Sequence, residues 1–258
     1  MRSVVAVTER VLETPSTVTL RFPYPAAAEP GQFVMVWLPG DDELPMSLSY
    51  TDGPSKGITI KAMGGTSRRA QTIQQGDKIG VRGPYGNHFD VSPKRLLLVS
   101  GGSGAAALAP AAERAIAAGA QVTVALGATH ASELLFKERF RTMGAQLEVT
   151  TDDGSEGTKG FVTAAADRRL ASESFDAVWT CGPEVMMKKV IVSASGRHVP
   201  TFCSMERHMK CALGMCDACA FGPFHVCVDG PVFPGERVES VREFAAFHRD
   251  SSGRRVPL

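Results

Sequence analysis

An excess of charge of either sign is missing from this chain. Its 28 Lys and Arg stand against 27 Asp and Glu, a net +1 over 258 residues. Nothing therefore points to nucleic acid or to an anionic membrane surface as a partner. Long apolar runs are missing as well, since none reaches the roughly 18 residues of a membrane-spanning helix. Cysteine is almost absent from most of the length: outside one short stretch there is only Cys181. Disulfides would suit a secreted domain, but the start, Met1-Arg-Ser-Val-Val-Ala-Val, reads as a strand and not as a targeting segment. A reducing cytoplasm is the expected location. There are no internal repeats. No His/Asp pair and no Ser or Cys beside a base is recognisable as chemistry on an organic substrate, so no catalytic side chain is assigned.

What is present is ordinary in bulk and unusual at one place. Hydrophobic residues make up 43% and charged residues 21%, as in a soluble globular protein, and the length suits two domains with a small appendix. The unusual place is Cys203 to Cys227, which holds five of the six cysteines. Within it Cys211, Cys216 and Cys219 follow the spacing Cys-x4-Cys-x2-Cys, and Cys227 stands eight positions further on. That is plant-type ligand spacing for a [2Fe–2S] cluster with a short return to the last thiolate. Gly214, between the first two cysteines, permits the dihedrals that turn backbone amides toward the centre. Zinc is the rival, although structural zinc sites commonly use two close Cys pairs and only one Cys-x2-Cys occurs here. Unliganded thiols are the other. Cys203, in an apolar Thr-Phe-Cys setting, reads as a small buried hydrophobe and not a ligand.

Residues 1–92 read as β structure. Val4–Val7, Val18–Phe22, Phe33–Trp37, Ser47–Tyr50, Ile58–Lys61 and Lys78–Val81 are short, β-branched or alternating, and punctuated by Gly, Pro and Asp as in an antiparallel barrel. Near Pro93 the pattern changes. Arg95–Val99 is a continuous apolar strand of the buried parallel kind. A glycine turn and an Ala-rich helix to Ala118 follow, then a strand at Val122–Leu126, a helix over Glu133–Thr142, and strands at Leu147–Thr150 and Ala177–Thr180. This alternation predicts a doubly wound parallel α/β domain over 93–200. Residues 201–240 are the cluster segment, 241–258 are a polar C-terminal tail, and its last stretch, His248–Leu258, is expected to fray.

The turn Gly101-Gly102-Ser103-Gly104 joins a strand to a helix. Glycines there let a backbone approach a pyrophosphate at a helix N-terminus, though such turns also serve packing. Cys181-Gly182-Pro183 ends another strand before a helix, where open α/β sheets bind ligands; a simple tight turn is the alternative. In the first domain Pro45, Met46, Ser47 and Ser49 share one strand, and Gly64-Gly65-Thr66-Ser67-Arg68 forms a turn.

In order along nearly the whole chain stand Pro30-Gly31-Gln32-Phe33, Pro45-Met46-Ser47-Leu48-Ser49, Gly83-Pro84-Tyr85-Gly86, Gly101-Gly102-Ser103-Gly104, Thr151-Asp152-Asp153-Gly154-Ser155, Cys181-Gly182-Pro183 and the run to Cys227-Val228-Asp229-Gly230-Pro231. With these the chain resembles the ferredoxin–NADP reductase-like superfamily and, within it, the electron-transfer subunits of type B dihydroorotate dehydrogenase. The resemblance implies FAD on the barrel, touched by Pro45, Met46, Ser47, Lys61, Gly65 and Thr66. It implies a nicotinamide nucleotide on the α/β domain and a [2Fe–2S] cluster on Cys211, Cys216, Cys219 and Cys227. Electrons would pass from an FMN-containing catalytic subunit, two of each subunit forming a heterotetramer, through the cluster and FAD to NAD+. The same module also serves sulfhydrogenases and anaerobic sulfite reductases, and a redox-sensing module without turnover is the alternative of another class. Leu44 stands where most of the superfamily has an Arg on the flavin pyrophosphate, so Arg68 or backbone amides must substitute. Ala107 replaces a frequent Pro, and Ser103 a branched apolar residue. Gly127-Ala128-Thr129-His130 offers no Arg cluster for a 2′-phosphate, which favours NAD over NADP.

Overall fold

A computed structural model of the chain describes residues 2–250 and 252–257. Met1, the first residue of the expected N-terminal strand segment, and Ser251 and Leu258, both in the expected tail, lie outside the described residues.

The first part is built from β1 (Ser3–Ala6), β2 (Glu9–Thr14), β3 (Thr17–Pro23), β4 (Phe33–Trp37), β5 (Glu43–Tyr50), β6 (Ser55–Lys61), the short α1 (Gly65–Ala70) and β7 (Lys78–Tyr85). The strands form one antiparallel sheet in the order β1-β7-β4-β5-β6-β3-β2. Strand β5 belongs to two partners: Glu43–Ser47 pairs with β4, and from Leu48 onward the strand pairs with β6 across a bulge. That change of partner bends the strand and curls the sheet into the expected barrel. Val18, Leu20, Phe22, Val34, Leu48 and Ile58 fill its interior, β-branched or large side chains that suit a pleated buried face.

The second part runs β8 (Arg95–Gly101), α2 (Ala105–Ala117), β9 (Gln121–Ala128), α3 (Lys137–Thr142), β10 (Gln146–Thr151), β11 (Thr158–Lys159), α4 (Val162–Ser172), β12 (Ala177–Cys181), α5 (Glu184–Ser195) and β13 (Thr201–Ser204). Its sheet order is β11-β10-β9-β8-β12-β13, all parallel, with β16 (Val232–Pro234) added antiparallel on the edge. The chain goes from β8 outward to β9 and β10, then returns through α4 to β12 on the other side. The crevice between the C-terminal ends of β8 and β12 is thus the switch point of a doubly wound sheet. Both faces are covered, one core holding residues of α2 and α3 and another those of α4 and α5.

The parallel sheet takes in Thr201–Ser204 and Val232–Pro234, both from the stretch read above as cluster segment. That segment also carries β14 (Ala220–Phe221), β15 (Phe224–His225), α6 (Val226–Asp229) and, after β16, α7 (Gly235–Glu239). Its apolar residues join the α4–α5 core together with Phe33 and Met35 of the barrel. Phe221 packs edge-on against Phe233 and Phe244. Asn87 straps the barrel to the segment: its Nδ2 donates to the carbonyls of Asp229 and Val232, and its Oδ1 accepts the Val232 amide at 2.9 Å.

Two expectations need correction. The helix over Glu133–Thr142 is only its second half, because Leu134, Leu135 and Phe136 are buried in the core and Phe136 is left-handed at φ 60°. The tail is not polar throughout, nor is its last stretch frayed throughout. Val241 and Phe244 are core residues, and β17 (Phe247–Arg249) pairs with β18 (Arg255–Pro257). The tail is fixed by Phe244 on Phe221 and by the Ala245 amide, which donates to Glu184 Oε2 at 2.8 Å. Glu184 also binds the buried guanidinium of Arg207, which stacks on Phe221. Removing one member of a buried pair strands the other charge. Glu184→Ala is expected to cost about 3–5 kcal/mol, measured as a lower urea midpoint, with limited proteolysis cutting first in the cluster segment or the tail.

Candidate functional site

One cleft of about 1080 Å³ lies between the barrel and the α/β domain. The barrel side presents Pro45, Met46 and Ser47 from β5, Lys61 from the end of β6, and Gly65 and Thr66 from the start of α1. All six residues expected at a flavin therefore line the same space. Lys61 reaches across it, its Nζ 3.7 Å from Glu133 of the α/β domain. Ser47 faces the cleft, whereas Ser49 lies fully buried and accepts a hydrogen bond from Thr59 at 2.8 Å. Leu44 also lines the cleft. Arg68 does not, and donates instead to the Met63 carbonyl at 3.2 Å.

The facing wall is the switch point. Gly101, Gly102, Gly182 and Pro183 line the cleft together, so the two sequence turns converge although 80 residues separate Gly102 from Gly182. The strand register, Ser100 opposite Cys181, places them side by side. Gly104 and Cys181 do not line the cleft. A Cβ on Gly104 would overlap the Cys181 carbonyl, so this glycine permits the close approach of the α2 turn to β12. Cys181 is buried, and burial pushes its thiol well above the ordinary range.

The third wall comes from Met205 to Met209, between β13 and the first thiol of the Cys-x4-Cys run. Spacing gave no sign of these residues. Their position just past the C-terminal end of a parallel strand is the one signal that could have found them. Glu206 is exposed and opens on the cleft. Among the described residues, Arg207 Nη2 and His208 Nε2 are buried and find no hydrogen-bond partner. Both residues line the cleft. A buried guanidinium N–H without a partner is costly, so Arg207 is a candidate for contact with a bound group.

The thiols are grouped in two pairs. All four are free thiols, Cys211 lying beside Cys216 and Cys219 beside Cys227. Among the described residues no three or more His, Cys, Asp or Glu side chains gather as one metal ion requires. Four thiols of one segment fit a [2Fe–2S] centre, which takes two on each iron. Backbone amides point at the sulfurs: Leu213 and Met215 donate to Cys211 Sγ at 3.3 and 3.4 Å, and Gly214, left-handed at φ 71°, donates to Cys227 Sγ at 3.3 Å. Burial opposes ionisation of Cys211, but these amides and Cys216 bring its thiol down to about 6, while burial and Cys219 push Cys227 up to about 12. Cys203 is fully buried in β13. Met209 and Phe221 are buried and Phe224 packs on Phe233, whereas Met215 is 80% exposed.

Comparison with known proteins agrees with this layout. The iron-sulfur cluster binding domain of dihydroorotate dehydrogenase B matches residues 206–239, and an oxidoreductase NAD-binding domain matches residues 98–191. A probable dihydroorotate dehydrogenase B (NAD(+)) electron transfer subunit of Methanocaldococcus jannaschii is 41% identical over 250 residues, spanning 96% of this chain and 95% of its own. Its counterpart in Thermoplasma volcanium is 42% identical, spanning 97% and 96%. Among solved structures, that of an NADH-dependent reduced ferredoxin-NADP oxidoreductase, described for flavin-based electron bifurcation, is 32% identical with a TM-score of 0.83, over 91% of this chain and 89% of that one. The ferredoxin reductase of carbazole 1,9a-dioxygenase shares the fold at 19% identity and a TM-score of 0.67, over 77% and 66%.

Anaerobically isolated chain is expected to carry about two irons and two labile sulfides. Replacing Cys211, Cys216, Cys219 or Cys227 by Ser should abolish the visible absorption of the centre, and Cys203→Ser should leave it intact. Stoichiometric zinc without labile sulfide would show that the pairs hold something else.

Proposed function

The chain belongs to the family of dihydroorotate dehydrogenase B (NAD(+)) electron-transfer subunits, and from that premise we propose that it carries electrons from a catalytic partner oxidising dihydroorotate to NAD+, in pyrimidine synthesis. The observation that supports this most is the single cleft where the β5 strand, the switch-point glycines and the segment leading to the thiols meet. When bound, a [2Fe–2S] centre carries single electrons, and a flavin converts between these and the hydride of a nicotinamide. The residues of this chain bind and orient. Pro45, Met46, Ser47, Lys61, Gly65 and Thr66 hold FAD against the barrel. Gly101, Gly102, Gly182 and Pro183 receive the nicotinamide nucleotide, with the amides and positive dipole end of α2 facing its phosphates. Gly104 and Cys181 support that turn from behind. Cys211, Cys216, Cys219 and Cys227 ligate the cluster, with the amides of Leu213, Gly214 and Met215 on their sulfurs.

The catalytic partner contains FMN and assembles with this chain as two copies of each. Its contact surrounds Cys216, the exposed thiol, where Leu213, Met215 and Val228 are 59%, 80% and 53% exposed. Exposed apolar side chains in one loop region suit a protein interface better than open water. Among the described residues no helix is long and apolar enough to cross a membrane, and six free thiols suit a reducing cytoplasm. The likeness to the ferredoxin-NADP oxidoreductase structure supports a second reading, in which the same module serves a different redox partner.

The isolated chain should oxidise NADH with artificial acceptors and leave dihydroorotate untouched. Adding the FMN-containing subunit should give a stable complex that couples dihydroorotate oxidation to NAD+ reduction, followed as the coupled rate with and without this chain. A complex with a hydrogenase or sulfite reductase component instead would retain the cofactor assignments and overturn the pathway.

A further inference from the structure

Arg82 lies on β7, opposite Met35 of β4, which in turn lies opposite Pro45 of β5. Its guanidinium has five N–H groups in one rigid plane, and every one has a partner. Nε and one Nη2 hydrogen go to the Glu43 carboxylate, at 2.9 and 2.6 Å. The second Nη2 hydrogen goes to the Lys210 carbonyl at 2.7 Å. Nη1 donates to the Cys211 carbonyl at 2.7 Å and to the Tyr85 hydroxyl at 3.2 Å. The side chains of Arg82 and Glu43 are only 16% and 15% exposed. Glu43 begins β5, two residues before Pro45. A single fork therefore joins the strand assigned to the flavin with the backbone of the first cluster ligand.

The carbonyls it holds are at a demanding place. Cys211 precedes Ala212, left-handed at φ 59°, which a residue with a Cβ adopts unfavourably. Fixing the Cys211 carbonyl orients the peptide plane from which the chain turns, so that the amides of Leu213, Gly214 and Met215 reach the sulfurs. Lysine would bring the charge but not the planar fork that spans two carbonyls and a carboxylate.

We propose that the Glu43–Arg82 bridge is a positioning device that registers the cluster loop to the flavin strand and sets the reduction potential of the cluster, Arg82 raising it and Glu43 offsetting it. The proposal rests on the reading above that the four thiols hold a cluster. One-electron reduction adds one negative charge to the centre. A cation bound to the backbone of a ligand favours that state, and a carboxylate behind the cation opposes it. The Arg82 and Glu43 side chains are themselves poorly exposed, so water screens their charges only in part.

The test is a redox titration of the full chain, isolated anaerobically with its own cluster, read by the paramagnetic resonance of the reduced centre. Iron content is measured in parallel for wild type, Arg82→Gln, Arg82→Lys and Glu43→Gln. Arg82→Gln should lower the potential, by up to about tenfold in the one-electron equilibrium or about 59 mV. Glu43→Gln should raise it. Arg82→Lys should recover part of the potential while the resonance signature stays altered, because the charge returns without the fork. If Arg82→Gln fails to retain iron, Glu43→Gln decides, since it leaves both carbonyl contacts of Arg82 in place. A potential for Glu43→Gln at or below that of wild type overturns the proposal. So does an Arg82→Lys variant identical to wild type in signature. A wild-type chain with no iron–sulfur centre overturns the functional reading itself, whereas a loaded wild type with unmoved variants overturns this inference alone.

Discussion

The buried ion pair between Arg207 and Glu184 holds the parts of this molecule in one arrangement. Glu184 opens α5 directly after the Gly182-Pro183 turn, where the helix dipole favours a carboxylate. Its second oxygen binds the Ala245 amide and so brings in the C-terminal segment. Arg207 stands between β13 and the first thiol of the loop and stacks on Phe221. Desolvation offsets much of the attraction in such a pair, so its contribution to net stability is modest. Its effect on arrangement is larger. Any slip of the cluster segment along α5 would leave two charges buried without partners.

Around that pin the apolar core is continuous. Residues of the cluster segment, the α4–α5 face of the sheet and the barrel residues Phe33 and Met35 pack as one cluster. Interiors packed in this way resist small displacements. The separation between the cleft and the thiols is thus set by packing, while the thiol loop itself depends on hydrogen bonds. Arg82 holds its carbonyls from outside and the loop amides hold its sulfurs from inside. A loop with few apolar residues turned inward can keep one conformation only when its polar groups are accounted for in this way.

Much of the architecture was legible in advance because it follows from local rules. Short alternating strands marked the barrel, continuous apolar strands marked the parallel sheet, and Cys-x4-Cys-x2-Cys marked the thiol loop. The failures were also local in cause. Leu134-Leu135-Phe136 continued an apolar pattern and read as helix, but the core claimed all three side chains and the chain turned left-handed at Phe136. The tail read as polar because Val241 and Phe244 are isolated among charges, and only the aromatic surface of Phe221 gives Phe244 somewhere to pack. Thr201–Ser204 is too short to announce itself as a strand, yet pairing with β12 and β16 places it in the sheet.

The sequence by itself determined what depends on neighbours in the chain: the cysteine spacing, the left-handed glycine at Gly214, the glycine turn after β8 and the proline that caps α5. Tertiary structure alone decided which of these share a site. Gly102 meets Gly182 through strand register, Gly104 packs against Cys181 and does not line the cleft, and Arg82 reaches the Cys211 carbonyl 129 residues away. Glu206, Arg207 and His208 carry no motif and became part of the cleft only when β13 joined the sheet. The reason is physical. Backbone dihedrals and loop spacing are set by adjacent residues, whereas a partner across the fold is chosen by register, burial and the requirement that every buried charge and N–H be met.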